Sequence, residues 1–185
     1  MKIIGYTPIE YLNQVSRTVT KIYDTEFDVP VQYLKTAKNQ TERTVYIVGN
    51  GGSAATASHF ANDLVKLAGI RAISVPDMTS TIMAYGNDGL WSLMFSDYLN
   101  AVMRPMDILV AISCSGRSKN VIEAVRTAIM LDGNVIIFTG GRVGNDLIKL
   151  PFSYPSISID HPDIRVVEDC HLAICHAIVG ALMED

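Results

Sequence analysis

Apolar residues in this chain recur at helical spacing in several segments, and each such segment predicts an amphipathic helix. The first segment covers residues 8–24, where an apolar stripe is formed by Ile9, Leu12, Val15, Val19 and Ile22. Further helices are predicted at 53–67, 120–131 and 163–183, and the last of these closes the chain.

Between these helices lie short runs of β-branched and aliphatic residues, which are typical of buried strands. The predicted strands are at 44–48, 72–75, 108–113, 134–139 and 157–159, the last with the weakest pattern. Strands that alternate with helices predict an α/β fold, here a three-layer αβα sandwich around a five-stranded parallel sheet. Because no repeat, low-complexity segment or linker divides the chain, residues 1–185 are predicted to be a single domain.

Composition and charge argue against several classes of protein. Of the 185 residues 49% are hydrophobic, and a net charge of −4 with no long basic run argues against a nucleic-acid partner. The three cysteines form no CxxC pair and are odd in number, which argues against a disulfide framework. The first residues lack a signal-peptide pattern, and no apolar run approaches the roughly 20 residues that span a bilayer. We therefore expect a cytoplasmic protein with no membrane partner.

The segment GNGGS follows the first predicted strand and opens the next predicted helix. Such a turn places backbone N–H groups and the positive end of the helix dipole at one point, which favours an anion. Gly51 and Gly52 permit close backbone approach, and Asn50 and Ser53 add side-chain hydrogen bonds. Alternatively, the glycines make only a tight turn with Ser53 as the N-cap, since the pattern is neither a Walker loop nor GxGxxG.

A second hydroxyl-rich turn, SCSGRSKN at 113–120, lies between a predicted strand and a predicted helix. In open α/β sheets, ligands bind outside the carboxyl ends of the strands, where the strand order reverses. Two such turns at one edge favour a phosphate-binding site over two coincidental helix caps.

Four motifs, GNGGSAA, SHFANDL, ISCSGRS and EDCHLAICH, give the chain a resemblance to a known family. In this order they resemble the sugar isomerase (SIS) fold and, within it, the phosphoheptose isomerases. The resemblance covers nearly the whole chain and implies a flavodoxin-like strand order and a homotetramer with active sites at subunit interfaces. The implied activity is the aldose–ketose isomerisation of sedoheptulose 7-phosphate to D-glycero-D-manno-heptose 7-phosphate.

The resemblance also implies which residues contact the sugar phosphate. The phosphate would be bound by the second turn, through Ser113, Ser115 and Ser118, with Cys114 where the family usually has threonine. The sugar would be contacted by the first turn and by the loop YGNDG, through Asn50, Ser53 and Asp88. The predicted substrate-binding set is completed by Gly51, Gly52 and Glu168.

Isomerisation through an enediol moves a proton between adjacent carbons. It therefore needs a base near the carbons and groups that stabilise or protonate the oxygens. The resemblance places the base at Asp63 and its partner at His176. Some relatives bind zinc through four side chains, which correspond to His59, Asp63, Glu168 and His176. His59 and Asp63 are four residues apart and share a helix face. We therefore predict that these four residues form one divalent-metal site, with zinc as the expected ion.

Two of these residues depart from the family pattern. Asp63 replaces a glutamate and is one methylene shorter, and a misplacement of about 1 Å can cost on the order of a hundredfold in rate. Glu168 replaces a glutamine and adds a carboxylate, so either Asp63 or Glu168 can be the base. His171 is expected to pack in the core or to contact another subunit. The substrate is expected to be a phosphorylated sugar of five, six or seven carbons.

A non-catalytic role is the alternative hypothesis. Some proteins of this fold bind phosphosugars, or the bacterial replication initiator, without catalysis. Such a protein would keep both turns but need not keep two histidines and two carboxylates. Because this chain keeps all four, the sequence favours an enzyme.

Overall fold

The computed structural model describes residues 3–141, 145–150 and 154–184. Within these ranges, five strands form one parallel sheet in the order β2–β1–β3–β4–β5. The strands are β1 (Val45–Val48), β2 (Ala72–Ser74), β3 (Ile108–Ser113), β4 (Asn134–Gly140) and β5 (Ser156–Ile159). This is the predicted α/β fold with the predicted flavodoxin-like order.

Helices cover both faces of the sheet. They are α1 (Pro8–Val19), α2 (Asp28–Asn39), α3 (Gly52–Lys66), α4 (Thr79–Asp88), α5 (Met94–Val102), α6 (Lys119–Met130) and α7 (Ile164–Met183). One apolar core lies between the sheet and α1, α2, α3 and α7, and the other between the sheet and α4, α5 and α6. Successive strand residues contribute to opposite cores, because side chains alternate along a strand. The three predicted layers are therefore present.

The predicted elements are all present, and in the described ranges three α-helices are additional. The element ends agree with the prediction to within one residue, except that α1 ends at Val19 rather than at residue 24. The additional helices are α2, α4 and α5. Their sequence signals are weak because α2 carries Pro30 in its first turn, α4 contains Gly86, and α5 has only nine residues.

The inward face of α1 differs from the predicted stripe. Ile9 and Leu12 are 64% and 60% exposed, whereas Tyr11 and Val15 pack against the core on the α7 side. The Tyr11 hydroxyl donates to Asp169 Oδ2 of α7 at 2.6 Å, so a polar contact helps to set the rotation of this helix. Two large apolar side chains are thereby left at the surface of the chain.

Helix α7 corrects one expectation from the sequence. It is long and apolar enough, by length and composition, to cross a bilayer, so the expectation that no segment approaches that length is wrong. Half of its apolar window is buried inside the fold, where it packs against α1, α2 and α3. A core helix of a soluble protein meets the same criteria.

Candidate active site at the carboxyl ends of β1 and β3

The two polar turns identified in the sequence follow neighbouring strands. β1 and β3 are paired in register, Val48 with Ala111, and the strand order reverses here because β2 lies on one side of β1 and β3 on the other. Asn50 and Asn120 join the turns through two reciprocal amide hydrogen bonds of 2.9 and 2.8 Å. Both turns therefore lie at the point where open α/β sheets bind ligands.

The first turn brings the backbone of α3 close to a carboxylate. Gly51 has φ +55°, a conformation that favours glycine, and α3 begins at Gly52. A Cβ atom at Gly52 would lie 2.5 Å from Glu168 Oε1, so a side chain at this position would displace the Glu168 carboxylate from the helix N-terminus. Ser53 is not the N-cap, since Gly51 holds that position without a side-chain bond. The alternative of a simple Ser53 cap is therefore wrong.

The second turn, residues 113–118, is called the serine turn here. Its tight shape is set by the Gly116 N–H, which donates to the Ser113 carbonyl at 3.0 Å and to Ser113 Oγ at 3.2 Å. Ser113 Oγ in turn donates to Ser118 Oγ at 3.3 Å. Ser118 is at the N-cap position of α6 but its side chain makes no capping bond. The hydroxyls are therefore grouped beside the N-terminus of α6, which favours an anion.

A cavity of about 180 Å³ lies between the two turns. Its lining contains predicted substrate-binding residues from both turns and one carboxylate from α7, together with two apolar residues: Asn50, Ser53, Ile112, Ser113, Cys114, Ser115, Ser118, Ile164 and Glu168. The cavity is smaller than typical small-molecule sites of about 300–1,000 Å³. One chain thus forms a pocket with room for an anion or for part of a larger ligand.

Glu168 is the carboxyl group of this cavity, and its pKa is perturbed. Burial raises the pKa of its carboxyl group, and the nearby charge of Asp169 raises it further. A carboxyl group with a raised pKa in a cleft is a candidate for proton transfer near neutral pH. The geometry therefore gives Glu168 the environment of a general acid or base.

Behind the cavity, Cys114 and His171 form a buried pair. His171 is fully buried on α7, with Nε2 at 3.2 Å from the Thr139 carbonyl and Nδ1 at 3.8 Å from Cys114 Sγ. Because a carbonyl can only accept, Nε2 carries the proton and Nδ1 faces the thiol. Burial lowers the pKa of His171 to about 4 and raises that of Cys114 to about 11. Both are neutral, and His171 packs in the core, one of its two predicted roles.

His59, Asp63 and His176 form a second cluster, the histidine–aspartate group. Asp63 Oδ2 lies 3.2 Å from His59 Nε2 and 3.7 Å from His176 Nε2, and the two Nε2 atoms are 3.0 Å apart. Tetrahedral bonds of about 2.0–2.1 Å would place ligand atoms about 3.3 Å from one another. Two imidazoles and one carboxylate at these distances fit a divalent metal with a position left open. The histidine side chains are 49% and 53% exposed.

The fourth predicted ligand, Glu168, is not part of this group within one chain. Glu168 and His176 are eight residues apart, which corresponds to about 12 Å along a helix. Glu168 lies against Gly52, whereas His176 lies beside His59, two turns further along α3. The predicted set of four is therefore divided between the cavity and the histidine–aspartate group.

Asp88, a predicted sugar contact, also lies elsewhere. It ends α4, is exposed, and lines a separate cavity of about 520 Å³ together with Tyr85 and Asp97. Asn120, in contrast, was not among the predicted site residues. It is fully buried and accepts a hydrogen bond from Asn50. Its position in the first turn of the helix after SGRSK is the sequence signal that could have indicated its role.

Comparisons with known proteins agree with this fold. The family model described as SIS domain matches residues 10–140. A probable phosphoheptose isomerase of Thermoplasma acidophilum is 34% identical over 143 residues, which cover 75% of this chain and 77% of the relative. A phosphoheptose isomerase of Neisseria meningitidis is 37% identical over 139 residues, with 72% and 71% covered. The solved phosphoheptose isomerase of Neisseria gonorrhoeae superposes with a TM-score of 0.83 at 29% identity, covering 94% of each chain.

The fold, the two turns and the family match define the class of this protein, an α/β enzyme of the phosphosugar isomerase type. The chain belongs to the SIS domain family and, within it, to the phosphoheptose isomerases. The resemblance inferred from the four sequence motifs is confirmed.

Proposed function

We propose that this protein interconverts sedoheptulose 7-phosphate and D-glycero-D-manno-heptose 7-phosphate through an enediol. The observation that carries the proposal is the cavity at the β1/β3 reversal, where hydroxyl and amide groups of two turns face one carboxyl group of raised pKa. An aldose–ketose isomerase needs this combination, an anion site beside a group that moves a proton.

The phosphate is held by the serine turn and by the N-terminus of α6. Ser113, Ser115 and Ser118 supply hydroxyl groups, and the helix dipole favours the negative charge. Asn50 and Ser53 supply polar contacts to the sugar from the opposite wall. Anchoring the phosphate in this way fixes the distance between the proton-transfer group and the carbons at the other end of the substrate.

Glu168 is the proton-transfer residue of this proposal. Its carboxylate accepts the proton from one carbon of the substrate and its carboxylic acid returns it to the neighbouring carbon. The raised pKa suits both steps, because the two protonation states are closer in free energy than in an exposed glutamate. Asp63, with its side chain beside two histidines, is assigned to the histidine–aspartate group instead.

His59, Asp63 and His176 would hold a zinc ion, which when bound supplies polarisation of a substrate carbonyl or hydroxyl oxygen. The donor set of two imidazoles and a carboxylate agrees with the preferences of zinc. Asp63 is only 9% exposed, so its carboxylate anchors the group while the two histidines face outward.

A homotetramer would complete the site. Three features of one chain support this proposal: the small cavity, the separate histidine–aspartate group, and the exposed apolar residues Ile9 and Leu12 of α1. In the assembly, another copy would bring its own groups to the open side of the cavity. We propose further that residues 1–185 act as one domain in the cytoplasm. Light scattering at micromolar concentration tests the assembly, and a monomer contradicts it.

The activity is tested by incubating the purified protein with sedoheptulose 7-phosphate in D₂O and following the sugar by NMR. An enediol mechanism is expected to form the aldose and to place deuterium on its C2 carbon. A panel of five-, six- and seven-carbon ketose phosphates identifies the preferred substrate. The unphosphorylated ketose serves as the control, and is expected to react far more slowly.

A protein that binds these phosphates but neither isomerises them nor exchanges their protons would contradict the proposed activity. That result, with zinc added and the tetramer intact, would favour the alternative of a phosphosugar-binding protein.

A further inference from the structure

The serine turn is held from behind by the end of β4. Thr139 Oγ1 donates to the Ser113 carbonyl at 2.9 Å, and the Gly140 N–H donates to the Cys114 carbonyl at 3.1 Å. Thr139 is fully buried. The first two residues of the turn are thus fixed through their backbone carbonyls, on the side away from the cavity.

The side chain of Asn145 determines to which acceptor the Thr139 hydroxyl donates its hydrogen bond. Asn145 is fully buried, and its Nδ2 donates to Thr139 Oγ1 at 2.8 Å and to the Gly140 carbonyl at 2.9 Å. A threonine hydroxyl has one hydrogen. Because Asn145 donates both to the oxygen of Thr139 and to the Gly140 carbonyl, that hydrogen is directed to the Ser113 carbonyl at 2.9 Å rather than to the Gly140 carbonyl at 3.5 Å.

The Asn145 side chain also lies against Gly116, at the apex of the serine turn. Gly116 has φ +62°, and a Cβ atom there would lie 1.8 Å from Asn145 Oδ1. The same Oδ1 accepts from the Leu147 N–H at 3.1 Å, while the Asp146 and Leu147 N–H groups donate to the Gly116 carbonyl. The side chain therefore fills the space that Gly116 leaves free and ties the segment 145–147 to the turn.

We propose that Asn145 is a positioning residue for the sugar phosphate, acting through Thr139 to hold the serine turn in its phosphate-binding shape. Asn145 is absent from the described residues that line the cavity, so it acts without contacting the substrate. The proposal rests on the proposed function, because it assigns the phosphate to this turn. A turn preorganised by buried bonds loses less freedom when it binds phosphate, so the expected effect is on affinity.

The test uses Asn145→Asp, which keeps the size of the side chain but replaces the donor with a carboxylate oxygen. That oxygen would face the Thr139 hydroxyl and draw its hydrogen away from the Ser113 carbonyl. We expect the KM for the sugar phosphate and the Kd for inorganic phosphate to rise about tenfold, with kcat within about twofold of wild type. Equal losses in kcat and in 1/KM, or only a lower melting temperature, would overturn the positioning role.

Two variants of Thr139 give an independent measurement if Asn145→Asp fails to fold. Thr139→Ser keeps the hydroxyl and is expected to bind phosphate as wild type does. Thr139→Val has nearly the same shape without the hydroxyl, and is expected to reproduce the tenfold loss. Equal phosphate affinity of the serine and valine variants would overturn the proposal.

Ser113→Ala separates failure of this inference from failure of the proposed function. If Ser113→Ala raises KM while Asn145→Asp and Thr139→Val do not, the serine turn binds phosphate and the positioning role is wrong. If Ser113→Ala leaves KM unchanged, the phosphate site itself is misassigned, and the role of Asn145 is overturned with it.

Discussion

The cavity at the serine turn and the histidine–aspartate group differ in how completely one chain forms them. The cavity has buried support, including the fully buried Asn120, Thr139 and His171. The histidine–aspartate group has two half-exposed imidazoles, and Asn62 is the one neighbouring side chain outside the group seen to donate to Asp63, among the residues described. The fold therefore preorganises the cavity, whereas one chain leaves the histidine–aspartate group half open to solvent.

The largest expected effect distinguishes the two carboxylates. Glu168→Gln is expected to lower kcat about a hundredfold or more, because an amide cannot take the proton, while metal content is retained. Burial raises the pKa of Glu168, and a base must be deprotonated, so wild-type activity is expected to fall as the pH drops through that raised pKa. This acid limb of the pH–rate profile should be absent in Glu168→Gln.

Asp63→Asn makes the same carboxylate-to-amide change in the histidine–aspartate group and is the matched control. It is expected to lose metal, which is measured by elemental analysis, and to lose activity in proportion. Loss of metal in Glu168→Gln would instead favour the four-residue site predicted from the sequence. Full activity of Glu168→Gln with an inactive, metal-containing Asp63→Asn would make Asp63 the base.

The second prediction concerns the histidines. His176→Ala is expected to lower metal occupancy and turnover together, by about a hundredfold, since one of three donors is lost. Lys66→Ala, at an exposed position at the end of α3, the helix that carries His59 and Asp63, is the control and is expected to behave as wild type. Full activity in His176→Ala would mean that the histidine–aspartate group takes no part in the reaction.

The same contrast explains how much the sequence could predict. The strands and the two turns follow from local patterns, β-branched runs ending at GNGGS and SCSGRS, and the structure contains them. The strand order was implied by the family resemblance and is also observed. The separation of Glu168 from His176 was missed, although their spacing of eight residues corresponds to about 12 Å along a helix axis. Asn120 and Asn145 were missed because a lone asparagine resembles a surface residue until its buried partners are known.

The third prediction tests the buried support of the cavity through acid stability. The pKa of His171 is lowered by burial to about 4 from 6.5, so the folded state holds this ring neutral. Its contribution is complete above pH 6.5 and is lost as the pH falls through 6.5 toward 4, by about 3 kcal/mol in total. His171→Gln should therefore lose less stability than wild type between pH 7 and pH 4.

Urea unfolding at several pH values, with a chelator present, measures this slope without a contribution from metal release. Carboxyl groups such as Asp163 titrate in both proteins and cancel in the difference. Parallel slopes for wild type and His171→Gln would mean that the buried ring does not resist protonation.

The smallest expected effect concerns how the cavity holds phosphate in a chain of net charge −4. Ser113→Ala should raise the KM for the sugar phosphate about tenfold or more, because a hydrogen bond to a charged oxygen contributes about 1.5–3 kcal/mol. Lys119→Ala should change KM less, since Lys119 is exposed at the start of α6 and is not among the residues that line the cavity. Raising the salt concentration should weaken binding only slightly in both variants. A larger loss in Lys119→Ala than in Ser113→Ala would mean that a mobile surface charge, rather than preorganised hydroxyls and a helix dipole, holds the phosphate.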